Sequence, residues 1–479
     1  MLTFCIALTC LLLGYLVYGA FVEKVFGVDS ARQTPCYEKQ DGVDFMPMPT
    51  WKVFLIQFLN IAGTGPIFGA IMGILFGPAA YLWIVLGCIF AGSVHDYFSG
   101  MICIRQGGIS LPEIVGNELG NTMRVVMRLV SLVLLVLVGT VFVTTPAALL
   151  DNMVPDQGWL WGNTFWVVII LCYYLLATFL PIDKLIGRIY PLFGMALLIM
   201  ALGIGFNIFT AEGWLPELTD APFESHHPSG LSIFPMLCIT IACGAISGFH
   251  GTQSPLMARC MKNERYGRPV FYGAMITEGV VALIWAAAAV KFASTLPGEA
   301  GATAYEKLAA MGNPSVVVGE ICSSWMGSVG AILAVLGVVA APITSGDTAF
   351  RSARLITADF MHVSQKSVMQ RLLLSLPMFA IAVALMFIDF DVLWRYFAWT
   401  NQTLGCILLW AVAVWLLRQQ KCWLVTFIPA LFMTVVCTSY ILIAPEGFGL
   451  PLSIGLTGGF VLMLLLGAAF LRFLKKTRG

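Results

Sequence analysis

Apolar runs of about 18 or more residues, with few or no charges, recur along the whole chain. Nothing else constrains its fold as strongly. A run of that length spans a bilayer as a helix, because in lipid every backbone polar group must find its partner within the protein. Composition agrees, since only 11% of the 479 residues are charged and 59% are hydrophobic. Soluble domains carry about 25% charged residues. The net charge of +1 offers no basic surface for nucleic acid. The 13 cysteines lie mostly inside apolar segments and form no C-x-x-C pair, so they read as small buried hydrophobes rather than a disulfide or zinc framework. The opening "MLTFCIALTCLLLGYLVYGAFVEK" has no basic n-region and no A-x-A site, which predicts a membrane helix and not a cleaved leader.

Candidate spans fall at 1–22, 52–76, 79–104, 124–150, 163–181, 188–211, 231–256, 269–293, 325–350, 370–388, 392–417, 423–443 and 451–473. The expected class is therefore an all-α polytopic membrane protein of about 13 helices. Connections carrying Arg105, Arg124 and Arg128, then Lys184 and Arg188, then Arg259 to Arg268, then Arg351 to Arg371, are basic. Those between them, such as "DNMVPDQGWLWGN", are poor in basic residues. The alternation predicts an outside N-terminus and a cytoplasmic C-terminus. The stretch 294–324 is expected outside the membrane, with a short amphipathic segment around 305–311.

Two spans are interrupted. "FLNIAGTGPIFGAIMGILFG" places Gly63-Thr64-Gly65-Pro66 in mid-span. "CGAISGFHGTQSPLMARC" places Gly244, Gly248, Gly251 and Pro255 likewise. Proline removes a backbone donor and glycine weakens a helix. Irregular backbone at membrane depth is tolerated where it is buried in protein or lines a cavity. The two spans lie five helices apart, and five being odd, the second starts from the opposite side. That predicts a five-plus-five inverted repeat. It divides the chain into 1–50, a first repeat at 51–211, a second at 231–417, and two further helices with a basic tail at 418–479. Non-helical backbone is expected at 62–66 and 247–253, the two facing each other.

Ionisable groups inside a membrane are candidate functional residues by default. His95 and Asp96 lie in "GSVHDYFSG", His250 in the second break, Glu278 in "GAMITEGVVALIW" and Asp347 in "PITSGDTAFRSAR". His95 and Asp96 are expected to bond each other or Arg105, and Asp347 to pair with Arg351 four residues on. Glu278 has no cation on its own helix within two turns. Its charged form is disfavoured there, which makes it a candidate proton site. Histidine changes charge near physiological pH, so His250 is assigned to substrate or the coupled proton. The substrate set around it is Gly63, Thr64, Gly65, Ser247, Gly248, Thr252, Gln253 and Thr144. No histidine pair has a metal-ligand spacing, although His95 and Asp96 are candidates for a site assembled across helices.

These motifs resemble the carbon starvation protein A family. "FGVDSARQTPCYEKQDGVDFMP", "NIAGTGPIFGAIMG", "AGSVHDYFSG", "TIACGAISGFHGTQSP", "YGAMITEGVVALI" and "PITSGDTAFRSAR" follow its conserved blocks in order. Members usually carry glutamine and alanine where this chain has His95 and Thr64. The resemblance implies the amino acid–polyamine–organocation (LeuT-like) fold and a secondary carrier of the inner membrane, not an enzyme. Its substrate would be a di- or tripeptide, with pyruvate as the alternative, and no cofactor beyond Na+ or H+ as coupling ion. Thr344 and Ser345 would supply hydroxyls to sodium, with carbonyls near Ala62 and Thr64. A peptide carboxylate would meet the half-helix starting at Gly65-Pro66, and its ammonium the carbonyls of a half-helix ending near Gly248. A metal-dependent hydrolase and a channel are the rivals from other classes. Partners beyond solute and lipid, and the oligomeric state, are not specified by the sequence.

Overall fold

The computed structural model describes residues 1–42, 44–153, 162–179, 182–299, 301–363, 365 and 367–478. All regular structure among them is helical. In chain order the main helices are α1 (Leu2–Phe26), α2 (Thr50–Ile61), α3 (Gly65–Gly73), α4 (Ala79–Arg105) and α5 (Asn121–Met153). Then come α6 (Asn163–Phe179), α7 (Ile182–Thr210), α8 (Ile233–Thr240), α9 (Gly248–Ala258) and α10 (Glu264–Thr295). The last five are α11 (Pro314–Met361), α12 (Val368–Leu385), α13 (Phe390–Arg418), α14 (Leu424–Ile443) and α15 (Leu452–Arg478).

Among the described residues ten helices are long and apolar enough to cross a membrane, or 11 when the pair Thr50–Ile61 and Gly65–Phe76, bent by 45°, is one span. Asn163–Thr178 is apolar but shorter. The stretch 233–258 is split between α8 and α9. Among the described residues the apolar stretches are thus helical, and those at 50–76 and 233–258 are broken.

Burial sorts the helices. The apolar windows of α4, α10 and α13 are 83%, 89% and 83% buried within the protein, against 28%, 22% and 22% for α1, α12 and α15. The first group forms the centre, and the second presents its side chains to lipid. Half-helix α3 packs on α10, and α9 packs on α2, α4 and α13. Both broken spans therefore lie against the central helices.

Three boundaries differ from expectation. The helix expected at 325–350 begins at Pro314, where Asn313 caps it by accepting from the Ser315 N–H, and bends at Gly327 (φ 58°). Much of the expected outer loop is therefore helical. Its amphipathic segment is a helix at Ala304–Ala310, opened by a capping box of Thr303 and Glu306. The first break is confined to 62–64, because Pro66 sits in the first turn of α3, where its missing N–H costs nothing. The second break lies at 241–247, upstream of the expected 247–253.

Candidate functional site

The second break moves upstream because of a side chain from another helix. Asn401 Oδ1, on α13, accepts the Phe249 N–H at 2.7 Å and the Ser247 hydroxyl at 3.0 Å. It caps α9 from outside, so the helix restarts at Gly248 with Ser247 extended (φ −139°). Gly248 consequently opens a half-helix and presents N–H groups, where the sequence suggested the carbonyl end of one. The carbonyl end belongs to Thr240 of α8. Gly248 itself fits where it does because α13 is close: a Cβ there would lie 2.4 Å from the Asn401 carbonyl oxygen.

The two breaks touch. A Cβ on Gly65 would lie 2.4 Å from Cys243 Sγ, and one on Gly69 would lie 2.9 Å from the Thr240 carbonyl oxygen. Gly73 likewise meets Ile241. Glycines spaced by four form one face of α3, and the backbone of the second break lies on it. Close helix approach over small residues has this spacing in membranes.

Around the first break, Gln57, Asn60 and Thr64 are fully buried, and their side-chain polar atoms have no hydrogen-bond partner among the described residues. Ala62 closes α2, and Phe142 and Ser345 lie over Gly63. Ser345 Oγ reaches the Leu59 and Asn60 carbonyl oxygens, each at 3.1 Å. These carbonyls stand one turn before the pair expected at Ala62 and Thr64. Thr344 donates instead to Ala341 O on its own helix, at 2.7 Å.

At the second break four ionisable groups form one chain of contacts, all fully buried. His95 Nδ1 donates to Asp96 Oδ1 at 2.8 Å, and His250 Nδ1 donates to Asp96 Oδ2 at 2.9 Å. His250 Nε2 faces Glu278 Oε2 at 3.4 Å. Arg105, an expected partner of His95 and Asp96, pairs with Glu264 at 3.0 Å. Cys243 joins the group: its sulfur, a His250 nitrogen and a Glu278 oxygen lie within 4.8 Å of one another. Sequence reading found the histidines and carboxylates one at a time, by their charge in apolar surroundings. It missed Cys243, Asn401, Gln57 and Asn60, whose only signal is polarity inside an apolar run.

The remaining candidates lie elsewhere. Asp347 accepts from the Tyr190 hydroxyl at 2.8 Å, and Arg351, whose charge acts on Asp347, also donates to the Ala177 carbonyl at 3.3 Å. Thr144 donates to its own helix and lines a cavity of about 240 Å³ with Phe68, Thr145 and Asn313. A wider cavity of about 650 Å³ holds His227, Asn313, Arg395 and Tyr440. Burial lowers the pKa of His227 from its ordinary value. Thr252 donates to Phe249 O and lines a cleft of only about 20 Å³ with Arg259 and Ser352. Gln253 Nε2 donates to Thr252 Oγ1. Phe68, which lines the cavity beside Thr144, begins a run of rings through Trp394, Phe397 and Phe142 to Phe249, with neighbouring centroids 5.4–6.3 Å apart.

Fold and site define a polytopic α-helical membrane protein in which two interrupted spans meet around buried polar groups. The chain belongs to the family described as carbon starvation protein CstA, whose model matches residues 1–158 and 147–297. An uncharacterized membrane protein of Haemophilus influenzae is 46% identical over 338 residues, which cover 61% of this chain and 91% of that one. The peptide transporter CstA of Campylobacter jejuni is 28% identical over 340 residues, 58% of this chain and 48% of that protein. The pyruvate/proton symporter BtsT of Escherichia coli is 26% identical over 333 residues, 57% and 46% respectively. The match to each named transporter thus spans about half of that protein's length.

Proposed function

We propose that this protein is a secondary carrier that imports short peptides across the inner membrane by alternating access of two inverted five-helix halves. The observation that carries the reading is the contact between the two breaks at Gly65 and Cys243, with the amides of Gln57 and Asn60 on the helix before the first break unpartnered among the described residues. Buried polar groups without protein partners suit a site that takes a polar solute. A peptide carboxylate is drawn to the N-terminal ends of α3 and α9, where N–H groups and helix dipoles favour negative charge. Its ammonium is drawn to the carbonyl ends of α2 and α8. Relatives named as peptide transporters support the same reading.

A sodium or proton gradient drives the uptake. Ser345 with the Leu59 and Asn60 carbonyls gathers three oxygens suited to sodium, and Asp347 under Tyr190 offers a carboxyl suited to a proton. The N-terminus lies outside and the C-terminus in the cytoplasm, as the basic connections indicate. The second reading, a pyruvate carrier, is supported by the relative named a pyruvate/proton symporter.

Purified protein in liposomes tests this. Labelled di- and tripeptides should enter saturably, only down an imposed cation gradient, and without competition from pyruvate. Pyruvate entry that excess peptide leaves unaffected would establish the second reading instead. Flux that needs no gradient and does not saturate would make the protein a channel.

A further inference from the structure

We propose that Cys243, His250 and Glu278 bind a first-row divalent cation, with Zn2+ the ion their donor set fits. The three donor atoms lie within 4.8 Å of one another and are buried. Sulfur, imidazole nitrogen and carboxylate oxygen together suit zinc among the common divalent ions.

The geometry at His250 is the argument. Its Nδ1 donates to Asp96 Oδ2 at 2.9 Å, which directs the Nε2 lone pair of the neutral ring toward Glu278. A carboxylate holding the far nitrogen of a histidine is the usual support behind a metal-ligating imidazole. His95 holds the other oxygen of that carboxylate at 2.8 Å, so the support is itself fixed. Nε2 and Glu278 Oε2 then stand 3.4 Å apart. That exceeds an ordinary O–H···N or N–H···O hydrogen bond. It matches the separation of roughly 3.3 Å between two donors that each lie ~2.05 Å from one tetrahedral ion.

Neither Glu278 oxygen, nor His250 Nε2, has a hydrogen-bond partner among the described residues, although all are buried. Cys243 Sγ accepts from Asn401 Nδ2 at 3.5 Å and lies 3.8 Å from the Ser247 hydroxyl. The Asn401 N–H directed at the sulfur favours a thiolate. One thiolate and one carboxylate offset a dication, and the further charge on Asp96 is held by the N–H groups of His95 and His250. Protein donors fill three tetrahedral positions. The fourth is left to water or solute, as in open zinc sites.

The inference gives Glu278 a role other than the coupling proton expected from the sequence. It does not rest on the transported substrate, and binding can be measured without uptake. Metal-stripped protein in detergent, equilibrated with a slight excess of Zn2+ and desalted, should retain one zinc per chain by elemental analysis. X-ray absorption at the zinc edge should show one sulfur at about 2.3 Å and nitrogen or oxygen at ~2.0–2.1 Å. Co2+ in place of zinc should give a thiolate-to-cobalt charge-transfer band that Cys243→Ser abolishes. Asp96→Asn, which disturbs the support but no ligand, should weaken zinc binding about 10–100-fold. Melting curves of the stripped variants, matched to stripped wild type, separate lost ligands from lost fold. No retained zinc, a shell without sulfur, or a charge-transfer band surviving in Cys243→Ser would each overturn the proposal. The X-ray measurement uses wild-type protein, so a variant that fails to fold does not remove the test.

Discussion

At the scale of single residues, Asn401 governs the second break. It gives one acceptor to two donors and its amide N–H to Cys243. Asn401→Ala should remove the cap and leave the Phe249 N–H buried without a partner. The expected cost is about 1–3 kcal/mol, read as a lower melting temperature of the detergent-solubilised protein. Asn401→Asp keeps the acceptor and should lose less. Ser345 and Thr344 allow a sharper pair. Ser345→Ala should raise the sodium concentration needed for half-maximal uptake, because it removes a hydroxyl that reaches α2. Thr344→Ala should leave that concentration unchanged, since its hydroxyl serves its own helix. Equal effects of the two would count against a sodium site there. Sequence showed the ionisable members of the site plainly, because charge stands out in an apolar run. Their connection was hidden: His95, Asp96, His250 and Glu278 sit on three helices and meet only through tertiary packing. A cap supplied by residue 401 to residue 249 has no local signature at all, whereas ordinary caps precede their helix by one position.

At the scale of elements, glycine in this protein does two jobs that composition does not separate. Gly63 lies in a break, whereas Gly65, Gly69 and Gly73 lie within α3 and form the surface on which the second break rests. The sequence therefore showed two interrupted spans correctly but placed the second interruption about one turn and a half late, since glycine permits a break without locating it. Gly69→Val should prevent the fit. Its Cβ would meet the Thr240 carbonyl, a backbone atom with little room to yield. Loss of monodisperse, folded protein on size exclusion is the expected result. Gly319 is the control: it is helical, and a Cβ there meets nothing within 4 Å. Gly319→Ala should keep or slightly raise the melting temperature, by up to about 1 kcal/mol of helix propensity. A tolerated Gly69→Val would show that α3 and the second break are not packed as described.

At the scale of the molecule, the stretch 27–49 ties the fold together on the face that the basic connections assign to the cytoplasm. Asp29 N–H donates to Glu264, Asn263 to Ser30 O, Cys36 Sγ to Met261 O and Met48 N–H to Cys260 O. Glu264 is fully buried and also receives Arg105 Nε and Nη2 at 3.1 and 3.0 Å. The segment thus fastens the loop that follows α9. Its mixed charge gave the sequence reading no hold, and its partners are remote in the chain. Glu264→Gln should weaken the fastening by roughly 1.5–3 kcal/mol, the range for hydrogen bonds to a charged group. Cys36 is buried, whereas Cys422 is exposed. Alkylation of Cys36 should therefore be slow in wild type relative to Cys422 and accelerate by about tenfold or more in the variant, as local opening becomes easier. An unchanged rate would mean that the segment is held by something other than Glu264.

That fastening also has a consequence for how the protein is made. Its side-chain hydrogen bonds join residues 225 to 235 apart in the chain. At roughly 5–20 residues per second, the ribosome delivers the loop at 260–266 some ten to fifty seconds after residues 27–49 have emerged. Throughout that interval the early segment lacks these partners, although Gly27 O and Lys39 already meet Arg105 and the Gly107 carbonyl. Nascent chains stalled before residue 260 should therefore keep Cys36 open to a thiol reagent, and chains stalled well past residue 295 should hide it. The clasp at 260–266 closes only when the second half of the protein arrives, so a ribosome that stops early leaves behind a product marked by its own uncovered thiol.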